Sequence, residues 1–183
     1  MYLIRHDQVA LAGVCYGQSD VDSTIPYAHS AQKIKSFFKQ NVKRVYSSPL
    51  KRCSLLAEQL FTEIPINYEP LLKEVNFGQW EQQSWSGIPR QQIDDWAQNP
   101  TNFQFPEGEH LAQFYQRVES FWGGFGDNHE DVCVVTHAGV IRLLLSLGLS
   151  CPWHDCLSLP VPFLSVIELN HQSFIPHYPT IEE

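Results

Sequence analysis

Met1-Tyr2-Leu3-Ile4-Arg5-His6 opens the chain, and Asp131-Val132-Cys133-Val134-Val135-Thr136-His137-Ala138-Gly139 repeats its design near the other end. Each is a short apolar, strand-like run that stops at a histidine. In α/β proteins reactive side chains sit just beyond the carboxyl ends of strands. Two imidazoles at two strand tips meet only if the strands are neighbours in one sheet. The cation of Arg5 beside them makes the shared corner suited to an anion.

Around these strands, helical and strand-like segments alternate, which predicts a helix-covered parallel sheet. Residues 28 to 39 have a helical apolar face of Ile34, Phe37 and Phe38, and Val42 to Ser47 reads as a strand. Ser48-Pro49 has the residue types of a helix N-cap and first position, and Leu50, Leu55, Leu56 and Leu60 form the buried stripe of the helix it opens. Ile64 to Tyr68 reads as a short strand. Pro106-Glu107-Gly108-Glu109 leads into a long helix ending near Gly123, strand 132–136 precedes a helix from Gly139 to Leu147, and Phe163 to Leu169 is a final strand. Residues 70–107 are aromatic and irregular, with one helix around Gln91 to Ala97. A connection of that length reads as a lid-like insertion in one domain spanning 1–183.

Composition narrows the functional classes. With 183 residues and 43% hydrophobic content the chain suits one domain with a substantial core. No apolar run approaches the ~20 residues of a membrane helix; the longest candidate, Val140 to Leu147, contains Arg142. Arg5 and His6 interrupt the N-terminal apolar stretch, so no signal peptide is expected and the location is read as cytoplasmic. Five scattered cysteines suit a reducing compartment better than a disulfide framework. Cys151-Pro152-Trp153-His154-Asp155-Cys156 could be metal ligands, but a loop with incidental sulfurs is the simpler reading. Twelve basic against 20 acidic residues, a net charge of −8, argue against nucleic acid or an anionic membrane as partner. An acidic protein that binds phosphate must gather its few cations locally, from Arg5, Arg52 and Arg142. Nothing in the pattern bears on oligomeric state.

Phosphate chemistry needs cations and N–H donors for the phosphoryl oxygens, an in-line nucleophile, and an acid for the leaving oxygen. Arg52 lies near the positive start of the helix after Ser48-Pro49, where a guanidinium adds to the helix terminus; alone, it is as readily an exposed helix arginine. His137 precedes the helix start at Ala138-Gly139 and its free N–H groups, or else it is a structural histidine in a tight turn. Glu74 lies among apolar and aromatic residues in Leu72-Lys73-Glu74-Val75-Asn76-Phe77-Gly78-Gln79-Trp80-Glu81. Such surroundings favour the protonated form of a carboxylic acid, as a proton donor requires. Glu81 competes for that role.

Five motifs in one order carry a family resemblance: Leu3-Ile4-Arg5-His6, Ser47-Ser48-Pro49-Leu50-Lys51-Arg52-Cys53, Leu72-Lys73-Glu74 with Phe77-Gly78-Gln79-Trp80-Glu81, Pro106-Glu107-Gly108-Glu109, and Thr136-His137-Ala138-Gly139. On these the chain resembles the histidine phosphatase superfamily, in the branch related to cofactor-dependent phosphoglycerate mutases. The resemblance implies a three-layer sandwich with a mostly parallel central sheet and helices on both faces. It implies His6 as a nucleophile that becomes phosphorylated on Nε2, Arg5, Arg52 and His137 as clamps on the phosphoryl oxygens, and Glu74 as acid and then base. It implies no metal and no cofactor. The chain departs from most relatives after the nucleophile, where Asp7 and Gln8 replace Gly and Glu. An anionic Asp7 facing the phosphate would repel it, so its side chain is expected to turn away or to bond backbone.

Gly13-Val14-Cys15-Tyr16-Gly17-Gln18-Ser19-Asp20 is similar to the corresponding loop of bacterial α-ribazole phosphatases. That likeness implies removal of the 5′-phosphate of α-ribazole 5′-phosphate, in assembly of the cobalamin lower ligand. Gly17 would let backbone N–H groups approach the phosphate, Gln18 would donate a hydrogen bond, and Ala138 would add its N–H; an ordinary surface turn has the same composition. A broad-specificity phosphatase for sugar or nucleotide monoesters is the main alternative. A phosphoglycerate mutase ranks lower, because few extra cations are present for a carboxylate. A non-catalytic phospho-ligand module ranks lower too, because binding alone needs no proton donor.

Overall fold

The N-terminal strand β1 (Tyr2–Arg5) pairs in parallel with β4 (Val132–Thr136), and the register sets Arg5 opposite Thr136. His6 and His137 therefore leave the sheet side by side. The computed structural model describes residues 1–38, 42–125, 129–170 and 173–179. Its sheet has six strands in the order β3-β2-β4-β1-β5-β6, where β2 is Arg44–Ser47, β3 Ile66–Tyr68, β5 Val166–Leu169 and β6 Phe174–His177. Strands β1 to β4 run parallel, while β5 and β6 add an antiparallel edge.

Alternation along the central strands divides the core between two faces. Tyr2, Ile4, Cys133 and Val135 pack with Ile34 of α1 (Tyr27–Ile34) and Leu56 of α2 (Lys51–Leu60). Leu3, Val132 and Val134 pack with Phe114 and Val118 of α4 (Leu111–Gly123) and with Ile141 and Leu144 of α5 (Ala138–Gly148). Every side chain of β4 is buried, as a parallel strand covered on both faces requires. The fold is thus the expected α/β architecture of a sheet between two helical layers.

Several elements differ in detail from the sequence reading. Helix α1 ends at Ile34 and tightens into a 3₁₀ turn over Lys35–Phe37, and position 39 lies outside the described residues. Ser48 is not the N-cap of α2. Its N–H still pairs with the Val135 carbonyl at 3.0 Å, prolonging the sheet, and Leu50 takes the cap position. The last predicted strand starts later, at Val166, because Pro160, Pro162 and the left-handed φ of 59° at Leu164 break extended structure before it. Strand β6 was not read from the sequence: Pro176 inside it argues for no strand, yet a sheet edge tolerates proline.

Residues 70–107 contain three 3₁₀ turns and α3 (Arg90–Gln98). Trp80 and Phe105 are fully buried with ring centroids 5.1 Å apart, and Trp96 and Phe103 pack around them. Two of the segment's six aromatics are therefore core, and Phe77, Trp96 and Phe103 pack against it partly buried. Fully burying large side chains of this kind contributes roughly 1.5–3 kcal/mol each.

Candidate active site

His6 follows β1, fully buried, and its Nδ1 is 2.7 Å from the Asp7 carbonyl oxygen. A carbonyl only accepts, so Nδ1 carries the proton and the Nε2 lone pair is free. Burial, then Arg52 and Arg5, hold the His6 pKa well below the ordinary 6.5 of an imidazole. The ring is thus held neutral, with Nε2 as its unprotonated nitrogen. His137 follows β4 with its ring centroid 5.2 Å from that of His6 and its Nε2 2.8 Å from the Ser48 hydroxyl. Burial, then Arg52 and His6, lower its pKa well below the usual value too.

Two guanidiniums flank the imidazoles. Arg5 donates to the Val161 carbonyl and lies 3.9 Å from the centre of the Phe163 ring. Arg52, the second residue of α2, is fully buried and donates to the carbonyls of Ser19 at 2.8 Å and Gly17 at 2.6 Å. The Nε–H groups of Arg5 and Arg52 are both buried without an acceptor among the described residues. Leaving buried donors of charged groups unmade is costly, and an anion beside them would remove that cost. The carbonyls that hold Arg52 belong to the 13–20 loop, so this loop is the fixture of the guanidinium.

Glu74 closes the site from the opposite side. It lines the same cleft of about 400 Å³ as Arg5, His6, Phe77, Trp85 and Phe163. Its carboxylate accepts from the N–H groups of Val75 at 3.1 Å and Gly139 at 3.2 Å. Its backbone is held by Arg117 of α4, which donates to the carbonyls of Leu71, Lys73 and Glu74 at 2.6, 2.7 and 2.9 Å and pairs with Glu109 at 2.7 Å. Glu81, the rival acid, is already saturated: it accepts from the N–H groups of Gln18, Ser19 and Phe77 and from the Ser19 hydroxyl. That carboxylate ties the 16–19 loop down.

Arg5, His6 and Glu74 line one cleft with Gly17 on its wall, while His137 packs against His6 and the charge of Arg52 acts on it, both fully buried and off the cleft lining. The left-handed φ of 39° at Gly17 and the closeness of Glu81 and Phe77 leave no room for a side chain there. Gln18 spends its amide on the Glu74 carbonyl at 3.0 Å, so it steadies the acid's backbone instead of reaching toward the cleft. Ala138 lies on a second cavity of about 340 Å³ behind Glu74, walled by Trp85, Trp96, Arg142 and Trp153. Arg142 donates its Nε–H to the Leu159 carbonyl at 3.0 Å and contributes to that cavity, not to the histidine cleft. Asp7 turns away as expected: its Oδ2 accepts from Ser30 of α1 at 2.6 Å and its Oδ1 from the Gln8 N–H at 2.7 Å. No group of three or more His, Cys, Asp or Glu side chains among the described residues is arranged to hold a metal ion.

Sequence reasoning missed Ser48, Tyr16, Phe163 and Arg117. Tyr16 lies beside His6 and 5.0 Å under the Arg52 guanidinium, and Phe163 underlies Arg5. Ser48 carried a visible signal, but one with two readings. A Ser-Pro pair before a helix suggests a cap, and only the sheet geometry turns the hydroxyl to His137.

A neutral imidazole nucleophile, two guanidiniums and a facing carboxyl group are the parts of a phosphoryl-transfer site that uses a covalent histidine. The model of the histidine phosphatase superfamily, branch 1, matches residues 1–178. The chain belongs to this superfamily and is an enzyme of the phosphatase class. It is similar to the adenosylcobalamin/alpha-ribazole phosphatase of Escherichia coli K12, with 25% identity over 168 residues, 84% of this chain and 83% of that one. Phosphoserine phosphatase 1 of Hydrogenobacter thermophilus is 29% identical over 126 residues, 63% of this chain and 60% of its own length. The solved structure of the alpha-ribazole phosphatase from Shigella flexneri superposes with a TM-score of 0.81 at 22% identity, covering 97% of this chain and 94% of that one, which shows the shared fold.

Proposed function

We propose that the protein is a cytoplasmic phosphomonoesterase that works through a phosphohistidine on His6, and that its substrate is α-ribazole 5′-phosphate. The observation that carries the reaction is the free Nε2 of a buried, neutral His6, flanked by Arg5 and Arg52 and faced by Glu74. Nε2 attacks phosphorus as the ester P–O bond breaks, and Glu74 donates a proton to the departing alkoxide. Arg5, Arg52 and His137 bind the phosphoryl oxygens as charge shifts onto them. Water then attacks the phosphohistidine, its proton passes to Glu74, the N–P bond breaks, and phosphate leaves with His6 restored.

Support for the substrate comes from two sides. The relative of E. coli carries the name of an α-ribazole phosphatase over most of both chains. Beside Glu74, Phe77 and Trp85 line both the histidine cleft and the second cavity, where aromatic faces suit a flat base on the leaving group. The likeness to a phosphoserine phosphatase favours a second reading, a broader phosphatase of small monoesters. Steady-state assays with α-ribazole 5′-phosphate, phosphoserine, ribose 5-phosphate and 3-phosphoglycerate separate the readings. A preference for the first supports the proposal, and comparable kcat/KM values across the set overturn the specific substrate. Trapping with ³²P-labelled substrate tests the covalent step, since a labelled wild-type protein and an unlabelled His6→Ala variant are required.

A further inference from the structure

The stretch from Cys151 to Cys156 has no part in the site above. Cys151 follows α5, and Cys156 ends the one-turn helix α6 (Trp153–Cys156). Their sulfur atoms are 3.4 Å apart, both as free thiols. Cys151 is partly exposed, Cys156 is buried, and the remaining cysteines, Cys15, Cys53 and Cys133, are buried elsewhere. A disulfide needs an S–S distance of about 2.05 Å and tolerates few geometries. Closing the gap takes a side-chain rotation and a small shift of one helical turn.

We propose that Cys151 and Cys156 form a reversible disulfide, a redox-responsive modification site that fixes α6 in the wall of the second cavity. The Cys151 thiolate, on the accessible side, attacks a sulfur of a small-molecule disulfide such as oxidised glutathione and expels one thiolate. Cys156 then attacks the Cys151 sulfur of the mixed disulfide and expels the second. Two protein thiols are oxidised, one external disulfide is reduced to two thiols, and the two thiol protons go to the expelled thiolates. Burial pushes the Cys156 thiol up, so the second, intramolecular step is carried by the 3.4 Å proximity of the two sulfurs. Burial also raises Cys15 and Cys53 to about 12, so neither competes for the external oxidant.

The consequence lies in what α6 carries. Trp153 and Leu157 line the cavity behind Glu74, together with Arg142, whose Nε is held by Leu159 just beyond. A bond from Cys151 to Cys156 cross-links the two ends of this turn and restricts Trp153. The histidine cleft contains neither residue. Oxidation therefore acts on the part of a substrate lodged in the second cavity, an effect that rests on the proposed function. The disulfide itself does not rest on it.

Two measurements keep these apart. Reduced protein is treated with oxidised glutathione, free thiols are counted, and the chain is cut with chymotrypsin after Trp153, which separates the two cysteines. The expected result is loss of two of the five thiols, a linked peptide pair containing Cys151 and Cys156, and full reversal by dithiothreitol. Cys151→Ser and Cys156→Ser must each abolish the linked pair. A stable glutathione adduct, another pairing or no loss of thiols overturns the proposal, whatever the enzyme's activity. In the second measurement, oxidation changes kcat/KM for 1-naphthyl phosphate by about threefold or more relative to glycerol 2-phosphate, and Cys151→Ser removes the change. A disulfide that forms with both substrates equally affected or unaffected overturns its link to the cavity.

Discussion

Gly139 stands so close to Glu74 that a Cβ on it would land on the carboxylate Oε1, while its own N–H donates to Oε2 at 3.2 Å. Gly139 is an ordinary helical residue of α5, so space explains the glycine and backbone freedom does not. Gly139→Ala is therefore expected to fold normally and to push the Glu74 side chain aside, because the obstructing atoms end a flexible chain. Loss of the proton donor slows esters with poor leaving groups by about tenfold or more and leaves p-nitrophenyl phosphate nearly unchanged. Parallel kcat/KM measurements check this, and equal losses on both esters would move the acid elsewhere.

What the sequence made legible follows from which interactions are local. The strand tips at Arg5-His6 and Thr136-His137 were readable because each is an apolar run ended by a polar pair, and their adjacency follows from parallel pairing. Glu74 and Glu81 were both legible as candidate acids, and only the resemblance chose between them, since Arg117 and Gly139, which support Glu74, come from α4 and α5. Gln18 and Ser48 were harder to read, for a common reason. Each side chain has a local use, a turn or a cap, and a distant partner won: the Glu74 carbonyl for one and His137 for the other. The core role of Trp80 and Phe105 was hidden because an irregular segment has no periodicity to mark its buried face.

Arg117 and Glu109 form a nearly buried pair whose guanidinium also takes the carbonyls of Leu71, Lys73 and Glu74. Arg117→Met takes the side-chain donor from the Leu71 and Lys73 carbonyls and leaves the Glu74 carbonyl with Gln18 and the Glu109 carboxylate with the Asn76 N–H, and breaking a buried pair in this way costs about 3–5 kcal/mol. Arg117→Lys restores charge but cannot supply so many directed donors. Thermal melting is expected to rank wild type above Lys above Met. At a temperature where all three are folded, the Lys variant loses more activity on alkyl phosphates than on p-nitrophenyl phosphate, as for a displaced acid.

The depressed pKa values of His6 and His137 make a stability prediction with a definite sign. In the unfolded chain both imidazoles take up protons as pH falls through about 6.5; in the folded protein burial and the two arginines keep them neutral. The unfolded state therefore binds more protons below that pH, and stability falls as pH falls. Each histidine contributes a slope of up to about 1.4 kcal/mol per pH unit in that window. Denaturant midpoints between pH 7.5 and 5 are expected to drop for the wild type. His6→Asn should show a visibly shallower dependence, and an unchanged slope would mean that His6 is not held neutral.

Asp7 is tied to Ser30 and to the Gln8 N–H and faces away from the cleft chemistry. Asp7→Gly is accordingly expected to retain activity within about tenfold while losing roughly 1.5–3 kcal/mol of stability, the scale of a buried hydrogen bond to a charged group. Ser30→Ala should lose a comparable amount with activity intact when folded. Urea unfolding beside a phosphatase assay reads both. A collapse of kcat in Asp7→Gly without any change in stability would place the carboxylate in the reaction after all.

Trp85 decides the specificity question because it is the aromatic of the 70–107 segment that remains 39% exposed while lining both cavities. It stacks on Trp96 with ring centroids 6.3 Å apart and planes 14° from parallel, and Phe77 and Trp80 meet it edge to face, yet part of it stays open to solvent. A benzimidazole base on the leaving group can use that surface, whereas a bare sugar phosphate cannot. The kcat/KM for α-ribazole 5′-phosphate is therefore expected to exceed that for ribose 5-phosphate by more than about tenfold, or ~1.4 kcal/mol of transition-state binding. Trp85→Ala should remove most of the difference by lowering only the first value. Trp80→Ala is the contrasting variant: its ring is 1% exposed at the centre of the aromatic cluster, so truncation costs about 3–5 kcal/mol of stability. If Trp85→Ala lowers both substrates alike, the ring supports the cleft but does not read the base, and specificity must come from another wall of the cavity.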